Sequence, residues 1–173
     1  MKHSPHKLQH KRMITNEQLA IWIDDYLLSG YGDKVLQREW KGVYLRGHAP
    51  WSNNEESYHR WLAAINHHHE YLCTLGSFEE IHEAIKGLQI KGIGPFTIYD
   101  TAVMIASSIG QYPQHIHLHS GAAKGAEAIG IKHKVANKED FVGLYPAFDR
   151  LMPVQIEDFL CAYHSNLLQY AEL

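Results

Sequence analysis

Apolar residues recur at helical spacing along most of the chain. Leu19, Trp22, Ile23, Tyr26 and Leu27 lie three or four positions apart, as on one buried helix face. Thr15 with Gln18 forms a capping box before that stripe, and Gly30 ends it. A shorter helix is predicted from Asp33 to Trp40, then a loop from Gly42 to Asn54 that holds Gly47, Pro50 and Ser52-Asn53-Asn54. Tyr58, Trp61, Leu62, Ile65 and Leu72 trace the next stripe, and Ser77 with Glu80 makes a second capping box. The helix it opens buries Phe78, Ile81, Ile85 and Leu88. Near the end Pro153 suits a first helical position, and Ile156, Phe159, Leu160, Tyr163, Leu167 and Tyr170 form one face of a last helix.

Alternation with period two occurs once, at His115-Ile116-His117-Leu118-His119. One short extended piece predicts no sheet. The pattern therefore gives an all-α fold: a frayed basic, His-rich tail over 1–13 and a single helical domain over 14–173.

Composition narrows the function. With 45% apolar and 20% charged residues in 173, the chain is long enough to bury a core without disulfides. Its two cysteines, Cys73 and Cys161, exclude a disulfide framework and a four-cysteine iron–sulfur site. No apolar run is long enough to cross a membrane, and the polar start lacks a secretory apolar core, so a cytoplasmic location is expected. Sixteen Lys+Arg against 19 Asp+Glu give a formal charge of −3. Any polyanion must therefore meet a local patch.

The most informative stretch is Ile85 to Gly110, IKGLQIKGIGPFTIYDTAVMIASSIG. Gly92 and Gly94 flank Ile93 between two helical patterns, a turn in which positive φ is cheap. Ile93 can plug the gap between the helices. Pro95 fits the first turn of the next helix, and Phe96 and Thr97 lie just inside it. Unpaired N–H groups there, with the helix dipole, make a phosphate cradle beside Lys91. Such a hairpin holds a nucleic-acid backbone without reading bases. The same turn is also a sufficient connection between two packed helices.

This run resembles the helix-hairpin-helix motif, and the wider chain resembles the helix-hairpin-helix DNA glycosylase superfamily. GIGPFT, the helix to Gly110, the extended Tyr112 to Leu118 and a helix from Ser120 to Gly130 follow that family's order, from about Phe78 to Ile131. The resemblance implies a helix-hairpin-helix, DNA-glycosylase-like fold and binding to the DNA phosphate backbone. It also shows departures. The family's catalytic lysine falls at Phe96 and its catalytic aspartate near His119, its small hairpin alanine falls at Ile98, and its cluster cysteines are missing. A divergent relative without the usual glycosylase chemistry is implied.

Other residues carry alternatives. The stripe Ile98, Ala102, Ile105, Ala106 and Ile109 puts Asp100 on the opposite side. There it is either an acid favoured near a helix start or, with Tyr99, an acid–base pair at a cleft rim. His115, His117 and His119 share one side of the extended piece. They are either solvated, or ligands or a general base. His67–His69 suit a helix end. Ser120 to Ala126 is rich in small residues: either Gly121 and Gly125 allow close helix packing, or Ser120 caps a helix start that admits an anion. Trp51, in a polar loop, is a candidate stacking surface.

The expectation is thus a DNA-binding protein contacting phosphates through Lys91, Gly92, Ile93, Gly94, Phe96, Thr97, Ser120 and Lys124. The alternatives are an enzyme acting on a nucleobase or nucleotide through Tyr99, Asp100, His117 and His119, and a protein-interaction module. No cofactor, metal or membrane is expected, and the oligomeric state is not legible.

Overall fold

The computed structural model describes residues 13–42 and 55–172. The His-rich start over 1–12 and Trp51, with the rest of the loop over 43–54, lie outside the described residues. The helices are α1 (Asn16–Leu28), α2 (Tyr31–Leu36), α3 (Glu55–Leu72), α4 (Phe78–Gly87), α5 (Pro95–Ser108), α6 (Ser120–Ala128), α7 (Lys138–Leu144) and α8 (Pro153–Glu172). Strands β1 (Ile116–His117) and β2 (Val135–Ala136) pair antiparallel, Ile116 opposite Ala136, and Pro146–Arg150 forms a 3-10 turn. The all-α class holds.

Both predicted capping boxes cap. Thr15 accepts the Gln18 N–H at 3.2 Å and Ser77 that of Glu80 at 3.2 Å. The second helix starts and ends earlier than expected. Gly30 takes φ +75°, which lets α2 begin at once, and Trp40 lies beyond its end as a buried side chain. The extended piece around Ile116 does find a partner strand. It escaped notice because β2 is only two residues long and shows no alternation. For the same reason of length, α7 and the 3-10 turn left no periodic trace.

The buried side chains fall into two clusters. One gathers Leu19, Ile23 and Tyr26 of α1, Ile116, Ala122 and Ala126 of β1 and α6, Phe141, Phe148, and most of α8. The other gathers Val35, Trp61, Ile65, Phe78, Ile81 and Ile85 with Tyr99, Ala102, Val103 and Ile105 of α5. Val154, at the start of α8, belongs to this second cluster, so α8 is shared between them. Burial on α5 is wider than the predicted stripe: Thr97, Tyr99, Thr101, Val103 and Ser107 are buried as well.

The small residues of α6 are explained by packing at Gly125. A Cβ there would lie 2.6 Å from the Leu160 carbonyl oxygen of α8, and one at Gly121 would lie 3.0 Å from Cys161 Sγ. Backbone cannot give way as a flexible side chain can. Gly125→Ala is therefore expected to cost about 2 kcal/mol or more. Gly143→Ala, inside α7 with open space around it, should instead stabilise by about 0.5 kcal/mol. Urea unfolding of both variants checks the contrast.

Candidate nucleic-acid interface and the polar interior behind it

The hairpin takes its form from two backbone positions. Gln89 has φ +48° and Gly92 has φ +89°, so the chain leaves α4 and reverses within a few residues. The Ile93 N–H closes the turn on the Ile90 carbonyl at 3.2 Å, and Ser57 Oγ of α3 donates to the Lys91 carbonyl at 2.8 Å. Ile93 is half-buried and packs on the second core cluster. Lys91, Gly92 and Gly94 are exposed. Gly94 is the N-cap of α5 and supplies no side-chain cap. With Pro95 next, the N–H groups of Phe96 and Thr97 have no partner inside the helix. Thr97 is buried, unlike Lys91, Gly92 and Gly94.

The start of α6 stands beside the start of α5. The rings of Phe96 and His119 are 6.3 Å apart. His119, not Ser120, occupies the N-cap position, and Ser120 is the first helical residue with φ +45°. The expected Ser120 cap is thus absent, because the chain turns one residue earlier. Ser120 and Lys124 are exposed, whereas Gly121 and Ala122 are buried.

The four residues proposed for a catalytic cleft separate into two groups. Tyr99, His117 and His119 meet: the Tyr99 ring is 4.9 Å from that of His117 and 5.4 Å from that of His119. His82 joins them, 5.3 Å from His117, and Phe78 closes the group at 5.8 Å. Tyr99 does not sit at a rim; its side chain is 1% exposed. Its hydroxyl and His119 Nε2 are buried with no hydrogen-bond partner. Burial lowers the pKa of all three imidazoles, that of His117 to about 4. They are therefore neutral at neutral pH. Among the described residues no three His, Cys, Asp or Glu side chains are placed to hold a metal ion. His115 is exposed and turned away, its Nδ1–H donating to Asn137 Oδ1 at 3.0 Å.

Asp100 faces elsewhere. Arg38 reaches it through Nη1 at 3.0 Å and reaches Asp158 of α8 through Nη2 at 2.8 Å. Tyr26 donates its hydroxyl to the other oxygen of Asp158 at 3.0 Å. Glu157 lies next to this group, 5% exposed, and burial pushes its pKa up to about 8. Burial also raises the pKa of the Tyr99 hydroxyl, with Glu157 a smaller contribution in the same direction. Tyr99 thus has imidazoles around its ring and a carboxyl-rich interior near its hydroxyl.

Sequence reasoning missed His82, Arg38, Glu157 and Asp158. Three of them carried a signal. His82 stands one turn after Phe78 on the apolar side of α4, and Glu157 and Asp158 interrupt the run Ile156 to Leu160. Arg38 follows a helix in polar sequence and carried none. The chain matches no family model, no curated protein and no solved structure.

A pH dependence follows from Glu157. Its folded pKa, about 8, exceeds the ordinary carboxyl value of 4.5, so folding requires proton uptake between those values. The penalty is absent below the lower value, grows as pH rises, and is complete above the upper one. Glu157→Gln should match the wild type near pH 4 and exceed it by several kcal/mol above pH 8. His117 acts in the opposite sense. Its folded pKa is depressed, so its neutral form costs nothing above the ordinary 6.5 and destabilises the fold as pH falls toward 4. Chemical unfolding across that range, with NMR titration of the imidazole, measures both.

Proposed function

We propose that the protein binds the phosphate backbone of DNA through the hairpin at 91–97. The observation that supports this most is the start of α5. Its first turn holds two amides without helical partners, and Lys91, three positions before the N-cap Gly94, is exposed and has no carboxylate partner among the described residues. The dipole of a 14-residue helix adds partial positive charge there. Ser120 and Lys124 are exposed on α6, whose start lies next to that of α5, and are taken as further contacts. On this reading the likeness to helix-hairpin-helix glycosylases is one of backbone grip, and Phe96 and His119 stand where the catalytic lysine and aspartate would be.

A second reading has its own support. Neutral imidazoles packed around the ring of a buried tyrosine whose hydroxyl has no hydrogen-bond partner suit proton transfer on an uncharged ring. It makes Tyr99, His117 and His119, with His82, the working group of an enzyme on a nucleobase or nucleotide. Asp100 is tied to Arg38 and drops to a supporting role.

Lys91→Glu should weaken binding to duplex DNA and lower the slope of log K against log salt by nearly one. Unchanged slope and affinity would remove the hairpin from the interface. Borohydride should trap no covalent adduct on damaged duplexes, because Phe96 offers no amine for a Schiff base. A trapped adduct would return the chain to the lysine-dependent glycosylases.

A further inference from the structure

On the side of α8 that carries Asp158, a cavity of about 340 Å³ opens between α2 and α8. That is within the size range of small-ligand sites. Its lining comes from Tyr31, Lys34 and Val35 of α2, Arg38, and Asp158, Cys161 and Ala162 of α8.

The polar groups of this cavity are unevenly committed. Asp158 already accepts from Arg38 on one oxygen and from Tyr26 on the other. Arg38 spends one N–H on Asp100 and one on Asp158; a guanidinium has five, and its side chain is 30% exposed. Lys34 has no carboxylate partner among the described residues and holds its ammonium 5.1 Å from the centre of the Tyr31 ring. The cavity is therefore rich in unspent donors, while its one carboxylate is occupied.

Its remaining walls are apolar. Val35 is buried, Ala162 is small, and burial raises the Cys161 thiol pKa, keeping it neutral. The Tyr31 ring is stacked on Tyr26 and still half exposed. A planar body can lie against it.

We propose that this cavity binds a small organic monocarboxylate with a planar apolar body, its carboxylate held by Lys34 and the remaining N–H groups of Arg38. A cationic ligand would meet both positive groups on entry. A phosphate dianion would bring twice the charge toward Asp158 and Asp100, where a monoanion brings least repulsion. The site lies on α2 and α8, not on the hairpin, and does not depend on DNA binding.

Benzoate is the probe, titrated into the full chain and followed by amide chemical shifts. Saturable shifts are expected at Tyr31, Lys34, Val35, Cys161 and Ala162, in the millimolar range or tighter. Lys34→Ala should weaken binding about fivefold and Lys34→Arg should preserve it, since the lost contact is a partly exposed ion pair. Ala162→Phe changes an exposed helical position and fills the cavity. It should abolish binding with the melting temperature nearly unchanged. Phenyl phosphate should bind more weakly than benzoate.

The proposal is overturned by the absence of saturable shifts up to about 20 mM benzoate, by shifts confined to other residues, or by equal affinity in Lys34→Ala. Tighter binding of phenyl phosphate would overturn the carboxylate assignment. The measurement contains no DNA, so its failure leaves the hairpin reading untouched, and loss of DNA binding leaves this one untouched.

Discussion

One guanidinium holds the two halves of the interior in register. Arg38 bonds Asp100 on α5, a helix of one core cluster, and Asp158 on α8, which serves mainly the other. Burial alone would lower its pKa, but the two carboxylates outweigh this and raise it. Such an arrangement contributes less to stability than to geometry, since removing three charges from water costs much of what their attraction returns. Removing one partner is the expensive event, because the remaining charges are left half-buried and unmatched. Neutral Glu157 belongs to the same balance. Ionised, it would put a third negative charge beside a single positive one.

This junction gives Tyr99 its setting. Its ring is fixed by Phe78, His82, His117 and His119, while its hydroxyl is buried without a hydrogen-bond partner. An unpaired buried hydroxyl is costly in a folded protein. Here the cost falls where uncharged imidazoles and a protonated carboxyl group also gather. The hairpin lies outside this arrangement, joined to it through Phe96 and His119. The residues proposed for surface grip and those of the buried ring cluster are thus different residues at and along the same helix α5.

Long amphipathic elements were legible because a stripe of five or six apolar residues outweighs any local ambiguity. The caps at Thr15 and Ser77 fixed where two of them begin. Elements too short to show a period were not legible, and so β2, α7 and the 3-10 turn escaped. At the site, the hairpin could be read because glycine, proline and lysine act locally. The meeting of Tyr99 with His117 and His119 could be anticipated in part, since alternation put the histidines on one side. Arg38 could not. Its partners lie 62 and 120 positions away, and no local pattern encodes a contact made by the fold as a whole. The partner of Asp100 was illegible for the same reason: the stripe showed which face it left, not that Arg38 waited there.

The contact between Gly125 and the Leu160 carbonyl also has a mechanical meaning. With no side chain on one surface and rigid backbone on the other, neither helix can slide along the other without collision or a void. α6 and α8 are therefore seated against each other backbone to backbone at this point. The height at which α6 sits over the helix that carries Asp158 is thus set by backbone and not by adjustable side chains.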